Sequence, residues 1–338
     1  MIISIRAFKY LIPFVLFLLA IIAFSGNGIV CWLPLLYVFF VIPFVELLIR
    51  PDAKNLEQTE EELTKQNKLY DYILYLAVII QYYVLYFFLN SLQEYDLSMS
   101  DIAGRVIAMG LLCGIFGINV AHELGHRVNQ FDRTLAKALL LTSLYMHFYI
   151  EHNKGHHKNV ATPQDPSSAK LNQNVFAFWI QTIIGTYKSA WHIDAKEMSV
   201  FQMIQITFLA VIYILWGGAI LGLFILAALI GALLLETVNY IEHYGLMRNK
   251  SEGANYERVQ PHHSWNSNHV IGRLMLFELS RHSDHHYLAS RKYQILRNID
   301  NAPQMPTGYP GMILLSLCPP IWFKVMHGQM KKQGIIIS

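Results

Sequence analysis

The sequence predicts an all-α integral membrane protein with six transmembrane helices and a cytoplasmic, histidine-rich cap. Three observations predict it. The 338 residues are 54% hydrophobic and only 14% charged, whereas a soluble domain carries about a quarter charged residues. The apolar residues are gathered into long blocks with polar stretches between them. Lysine and arginine fall almost wholly on one side of those blocks.

A bilayer core of about 30 Å takes about 20 apolar residues in helix. Six stretches meet or approach that length: 10–25, 29–49, 71–90, 103–121, 201–217 and 219–239. Ser25-Gly26-Asn27-Gly28 joins the first two and Gly217-Gly218 the last two, links short enough to make helical hairpins. Arg6 and Lys9 resemble the charged start of a signal peptide, but a second apolar run follows at once and no soluble domain begins there. Residues 50–70 are charged and helix-forming, a solvated stretch with no chemistry of its own. The segments 122–200 and 240–338 form the cap. Their apolar blocks, 135–150, 175–184 and 311–323, are too short or too interrupted to span and read as re-entrant, interfacial or buried helices. With no internal repeat, residues 1–338 read as one membrane-embedded domain.

With the N-terminus inside, the outer links are 25–28, 91–102 and 217–218. None holds a Lys or Arg, and the middle one carries Glu94, Asp96 and Asp101. Every Lys and Arg except Arg105 then lies on the inner side, which places both termini in the cytoplasm. The net charge of +3 understates how basic that face is. Such a face suits membrane lipid and the docking of a small acidic carrier, and no nucleic-acid partner is expected. Cys31, Cys113 and Cys318 sit in apolar surroundings and form no CxxC pair, which argues against disulfides and thiolate clusters.

Four motifs hold nine of the fifteen histidines: His122-Glu-Leu-Gly-His126, Glu151-His152-Asn-Lys-Gly-His156-His157, Glu242-His243-Tyr-Gly245 and His282-Ser-Asp-His285-His286. On a helix, residues three and four apart share a face with Cβ atoms about 5–6 Å apart. His122 with His126, His152 with His156, and His282 with His285 and His286 are each expected to aim at a common point. Nine neutral nitrogen donors exceed what one ion holds, so two ions are implied; imidazole suits iron, zinc and copper alike. Packing so many imidazoles without metal would strand polar groups at the membrane. The HExxH form at 122–126 resembles a zinc-protease motif, which would leave seven histidines unused. If 135–150 crossed the bilayer, the motifs at 122 and 152 would lie about 30 Å apart, so a shared site predicts that this segment does not span. Glu123, Glu151, Glu242 and Asp284 each adjoin a motif histidine and could orient an imidazole by accepting its N–H. His263 and His269, in QPHHSWNSNH (260–269), are further candidates for such supporting roles.

Beyond spacing, the chain resembles the bacterial alkane 1-monooxygenases, integral-membrane non-haem di-iron hydroxylases. The matching blocks are HELGHR (122–127), EHNKGHHKNVATPQDP (151–166), NYIEHYGL (239–246), QPHHSWNSNH (260–269), SRHSDHHYLASRKYQ (280–294) and PTGYPGMILL (306–315), within a likeness running over about 30–327. The departures are Arg127, where Lys is usual, and Ser280, where Gln is common; neither removes a ligand. The resemblance implies two iron ions held by His122, His126, His152, His156, His157, His243, His282, His285 and His286, with His243 resting more on resemblance than on spacing. It implies O₂-dependent hydroxylation of a terminal methyl group in the bacterial inner membrane, with electrons from rubredoxin and an NADH-dependent rubredoxin reductase, and no bound haem or flavin. No rubredoxin-like CxxC pair is present in the chain, so the donor is expected to be a separate protein. An n-alkane has no polar handle, so recognition must be by apolar shape. In this family a bulky residue on the second span limits chain length; the counterpart here is the small Val38, which predicts room for medium or longer chains.

Two other readings are weighed. A fatty-acid desaturase or xylene-type aryl-methyl hydroxylase on the same scaffold would give an alkene or a benzylic alcohol. A metal transporter would place ionisable ligands near mid-membrane, whereas these histidines cluster just beyond span ends.

Overall fold

The structure is a computed structural model that describes residues 6–251 and 255–335. The extreme termini, expected in the cytoplasm, lie outside the described residues. Among the described residues the chain is helical, with two isolated bridges and no β-strand. The helices are α1 (Phe8–Ser25), α2 (Gly28–Leu48), α3 (Gln58–Gln66), α4 (Leu69–Ser91), α5 (Met99–Gly125), α6 (Gln130–Thr142), α7 (148–159), α8 (Val175–Ile193), α9 (Ala195–His243), α10 (Val270–Met275), α11 (His282–Tyr287), α12 (Tyr309–Ser316) and α13 (Pro319–Lys332).

Five of these, α1, α2, α4, α5 and α9, are long and apolar enough to cross a membrane. The last two expected spans lie within α9 as two limbs that meet at Gly217, which has φ 82°. That left-handed conformation is open to glycine at little cost. The chain folds back there: the rings of Phe208 and Phe224 lie 5.8 Å apart, where a straight helix would separate them by about 24 Å.

At the end of the helices away from the histidines, Arg105 has a buried guanidinium that donates to the carbonyls of Ser91 at 2.6 Å and Gly26 at 2.9 Å and pairs with Glu94 at 2.9 Å. Asp101 accepts from the N–H groups of Gly28 and Ser98. Arg105 therefore ties the 25–28 and 91–102 links together.

The block at 135–150 is not one continuous helix. α6 ends at Thr142, and Leu144 turns with φ 51° before α7 begins. This break lies against a π-helical turn, Cys113–Ile118, within α5. Such a turn frees backbone carbonyls, and Ser143 donates its hydroxyl to that of Cys113 at 3.0 Å. Gly117 allows the approach, since a Cβ there would stand 2.3 Å from Ser143 Oγ. The C-terminal ends of α5 and α9 lie against α7 and α11, His122 meeting His152 and His285, and His243 meeting His282.

Candidate metal centre

All nine motif histidines converge, and they do so as two groups. His122, His126, His152, His157 and His285 form one; His156, His243, His282 and His286 form the other. In the first, neighbouring Nε2 atoms close a ring: His122 to His285 at 3.0 Å, His285 to His157 at 3.1 Å, His157 to His152 at 3.0 Å, His152 to His126 at 3.1 Å and His126 to His122 at 3.3 Å. In the second, His243 and His282 approach at 3.1 Å and His156 and His286 at 3.2 Å. The groups adjoin, with the His157 and His286 rings 4.5 Å apart.

These distances fit metal ligation. A ring of five nitrogens cannot alternate donor and acceptor, so hydrogen bonding alone leaves at least one pair opposed. Imidazole nitrogen meets zinc, and comparably other first-row ions, at about 2.1 Å, so two ligands at a right angle lie about 3.0 Å apart.

The grouping corrects two expectations, since His285 also parts from His282 and His286. His152 and His156 do not share a point. Residues His152–His156 form a π-helical turn, whose wider winding brings i and i+5 together; His152 therefore meets His157, and His156 passes to the other group. The i, i+4 pairs His122/His126 and His282/His286 stay together on ordinary helix, while His285, between the latter pair, crosses to the first group.

The cap keeps these imidazoles neutral. Burial first, then the neighbouring imidazoles, hold His126, His152, His157, His282, His285 and His286 well below the usual histidine range. His156 is the exception. Burial pulls it down, but its Nδ1 donates to Asp165 at 2.9 Å, and that carboxylate raises it overall. Asp165 is itself held by Ser168 Oγ at 2.6 Å and the Ser167 N–H at 3.1 Å. It fixes the tautomer that turns the His156 Nε2 lone pair inward.

The other carboxylates were expected to accept imidazole N–H groups, and most are engaged elsewhere. Glu123 accepts from Arg127 and from the Tyr293 N–H. Asp284 takes Arg291 at 2.9 and 3.0 Å and the Arg297 N–H at 2.8 Å. Glu151 accepts from Ser189 and is pushed up to about 8, by burial first and then by the charge of Asp165. Glu242 alone reaches a group: its Oε2 lies 3.2 Å from His282 Nε2, the atom facing inward, while its Oε1 accepts from the Tyr309 hydroxyl at 2.7 Å. His263 and His269 belong to neither group. His263 Nδ1 accepts from the Gln260 N–H at 3.0 Å, and His269 Nδ1 lies 3.0 Å from Ser267 Oγ.

Membrane-ward of the histidines lies a narrow apolar cavity of about 40 Å³, walled by Val38 and Ile42 of α2, Ile115 and Asn119 of α5, Leu234 and Val238 of α9, and Met275, Tyr309 and Ile313. Val38 is thus a wall residue, on a π-helical turn, Tyr37–Val41. Asn119 stands one turn before His122, and Tyr309 reaches Glu242. The sequence reading missed Asp165, Asn119 and Tyr309. Asp165 and Tyr309 fell within the matching blocks, ATPQDP and PTGYPG, but no spacing rule marked either as a partner of the site.

The sequence model of the fatty acid desaturase family matches residues 101–316. This defines the class: a helical membrane protein whose histidine motifs meet at one end of its apolar helices. An alkane 1-monooxygenase of Ectopseudomonas oleovorans is 36% identical over 314 residues, covering 89% of this chain and 78% of the relative. Alkane 1-monooxygenase 1 of Pseudomonas aeruginosa is 41% identical over 242 residues, 68% of this chain and 63% of the relative. The xylene/toluene monooxygenase hydroxylase component XylM of Pseudomonas putida is 30% identical over 240 residues, 67% and 63% respectively. The chain belongs to the alkane 1-monooxygenase family, within the broader fatty acid desaturase family.

Proposed function

We propose that this single domain hydroxylates the terminal methyl of medium- to long-chain n-alkanes to 1-alkanols, consuming O₂, two electrons and two protons and releasing water. The observation that carries the reading is two groups of converging imidazoles linked through Glu242 and Tyr309 to an apolar cavity. Two iron ions held there would supply the one-electron and O₂ chemistry that an inert C–H bond requires. His122, His126, His152, His157 and His285 would hold one, and His156, His243, His282 and His286 the other.

The protein's own part is positioning and exclusion. Asp165 orients His156, and Tyr309 fixes the carboxylate of Glu242 beside His282. The apolar walls at Val38, Ile42 and Leu234 select a substrate by shape and keep water from the methyl group. A cavity of about 40 Å³ has room for about one water, so admission of an alkane requires flexible wall residues such as Met275 to shift. Electrons would come from rubredoxin and its NADH-dependent reductase at the cytoplasmic face, with the protein in the bacterial inner membrane and both termini inside. An open recess lined by Lys68, Arg127 and Lys292 together with Asp71 and Asp132 reaches His126 and would be the donor's approach to the site.

The test is an assay of the purified, iron-loaded protein with octane and with hexadecane, supplied with rubredoxin, reductase and NADH. The expected product is the 1-alkanol from both. Conversion confined to alkanes shorter than octane would contradict the chain-length reading. The likeness to XylM supports a second reading, aryl-methyl hydroxylation, and xylene turned over to its benzylic alcohol in preference to either alkane would favour it.

A further inference from the structure

A row of aromatic rings leads from the first histidine group to the protein surface. The Phe148 ring stacks on His152 with centroids 4.6 Å apart and lies 6.2 Å from the Tyr145 ring. Tyr145 meets His147 edge-on at 4.3 Å, and His147 meets Tyr187 at 5.5 Å. Tyr187 is exposed, whereas Tyr145 is buried. The Tyr145 hydroxyl donates to Glu236 Oε1 at 2.6 Å, and Glu236 Oε2 accepts from Thr182 at 2.6 Å and Asn239 at 3.1 Å. Neither Tyr145 nor Glu236 belongs to a histidine group or to the walls of the apolar cavity.

From this arrangement we infer that Tyr145 is a redox-active residue, which gives an electron to the metal centre when O₂ has reacted there with no alkane in the cavity. The inference rests on the reading that the histidine groups hold iron and react with O₂. The step balances. One electron passes from the Tyr145 ring through Phe148 and His152 to the oxidised centre, which is reduced by one. The phenolic O–H bond breaks, its proton passes along the 2.6 Å hydrogen bond to the Glu236 carboxylate, and a neutral tyrosyl radical remains. The acceptor decides which tyrosine can do this, since a buried ring that lost an electron and kept its proton would carry an unpaired buried charge. A one-electron reductant in solution, of the ascorbate type, refills the ring through Tyr187 and His147, and Glu236 returns the proton. Tyr309 also meets a carboxylate, Glu242, but among the described residues no row of rings leads from it to the surface. The device spares the ligands: an oxidised centre without substrate takes its electron from a replaceable source and not from its own imidazoles.

The test mixes the reduced, iron-loaded protein with O₂ in the absence of alkane, freezes it at once and records the electron paramagnetic resonance spectrum. A tyrosyl signal is expected, with its splitting altered when the protein is made with ring-deuterated tyrosine. The signal should be lost in Tyr145→Phe and in Glu236→Gln. Repeated alkane-free cycles should inactivate Tyr145→Phe in fewer turnovers than the parent. Iron content and melting temperature equal to the parent certify each variant as folded. If Tyr145→Phe fails that check, fluorotyrosine at position 145, which keeps the hydroxyl, must alter the splitting. A parallel sample with octane separates the two possible failures. Octanol formed by a parent that shows no tyrosyl signal without alkane overturns this inference and leaves the proposed function standing; no octanol and no bound iron overturns both. A signal that survives Tyr145→Phe, or that disappears only in Tyr309→Phe, would also overturn the assignment.

Discussion

The two histidine groups differ in what surrounds them. In the five-histidine group, His126 and His157 are only partly buried, and an open recess reaches His126 past Arg127, Lys68 and Lys292. The four-histidine group is wholly buried. It alone has carboxylates against its imidazoles, Asp165 on His156 and Glu242 beside His282, and Tyr309 links it to the apolar cavity. One side faces water and charge, the other grease. The difference teaches that nine similar residues, drawn from the same motifs, are sorted into unlike environments by backbone winding more than by sequence motif.

The largest effect expected comes from removing a histidine. His126→Ala on the open side and His286→Ala on the closed side should each reduce alkanol formation to the background rate, and metal analysis should find about one ion lost per chain. Unequal metal loss would sharpen the comparison; retention of both ions and of activity in either variant would break it.

Asp165→Asn should come next. It keeps the shape but removes the charge that fixes the His156 tautomer, a change that typically costs about 10–100-fold in metal affinity or activity. The weakened metal should be that of the four-histidine group. Binding isotherms identical to the parent would contradict the role given to Asp165.

Val38→Trp acts from the cavity side. Crowding the wall should cost hexadecane about 10–100-fold in kcat/KM relative to octane, the range of a modest pocket misfit, with metal content unchanged. An unaltered octane-to-hexadecane ratio would remove Val38 from the substrate path.

The smallest effect concerns pH. Histidines held neutral by burial have folded values below the about 6.5 of an unfolded chain. As pH falls through that value the unfolded chain takes up protons that the folded chain refuses, so stability falls with pH. The melting temperature of the metal-free protein should drop between pH 7.5 and 5.5; a flat profile would contradict the burial assigned to these rings.

Much of this was legible in the sequence because it follows from one-dimensional rules. Block length marked the apolar helices, and the charge pattern together with the requirement of a shared site excluded 135–150 as a span. Helical spacing brought His122 to His126. It failed at His152 and His156 because a π-helical turn has no spacing signature; what sets it is packing, as where Ser143 meets the carbonyl of Cys113 in the turn of α5. Glu123 and Asp284 adjoin histidines in sequence, yet their carboxylates turn to Arg127 and Arg291, since a buried carboxylate is held by whichever cation the fold delivers. Asp165 works in the opposite way, nine residues from His156 in sequence and in contact with it in space.

The most direct test of the central claim is iron stoichiometry, with the ligand environment read by X-ray absorption, on the purified protein. The account predicts about two irons per chain, each surrounded by imidazole nitrogen in a first shell averaging four to five nitrogens. One iron or fewer per chain after full loading, or a first shell dominated by oxygen or sulfur, would contradict it.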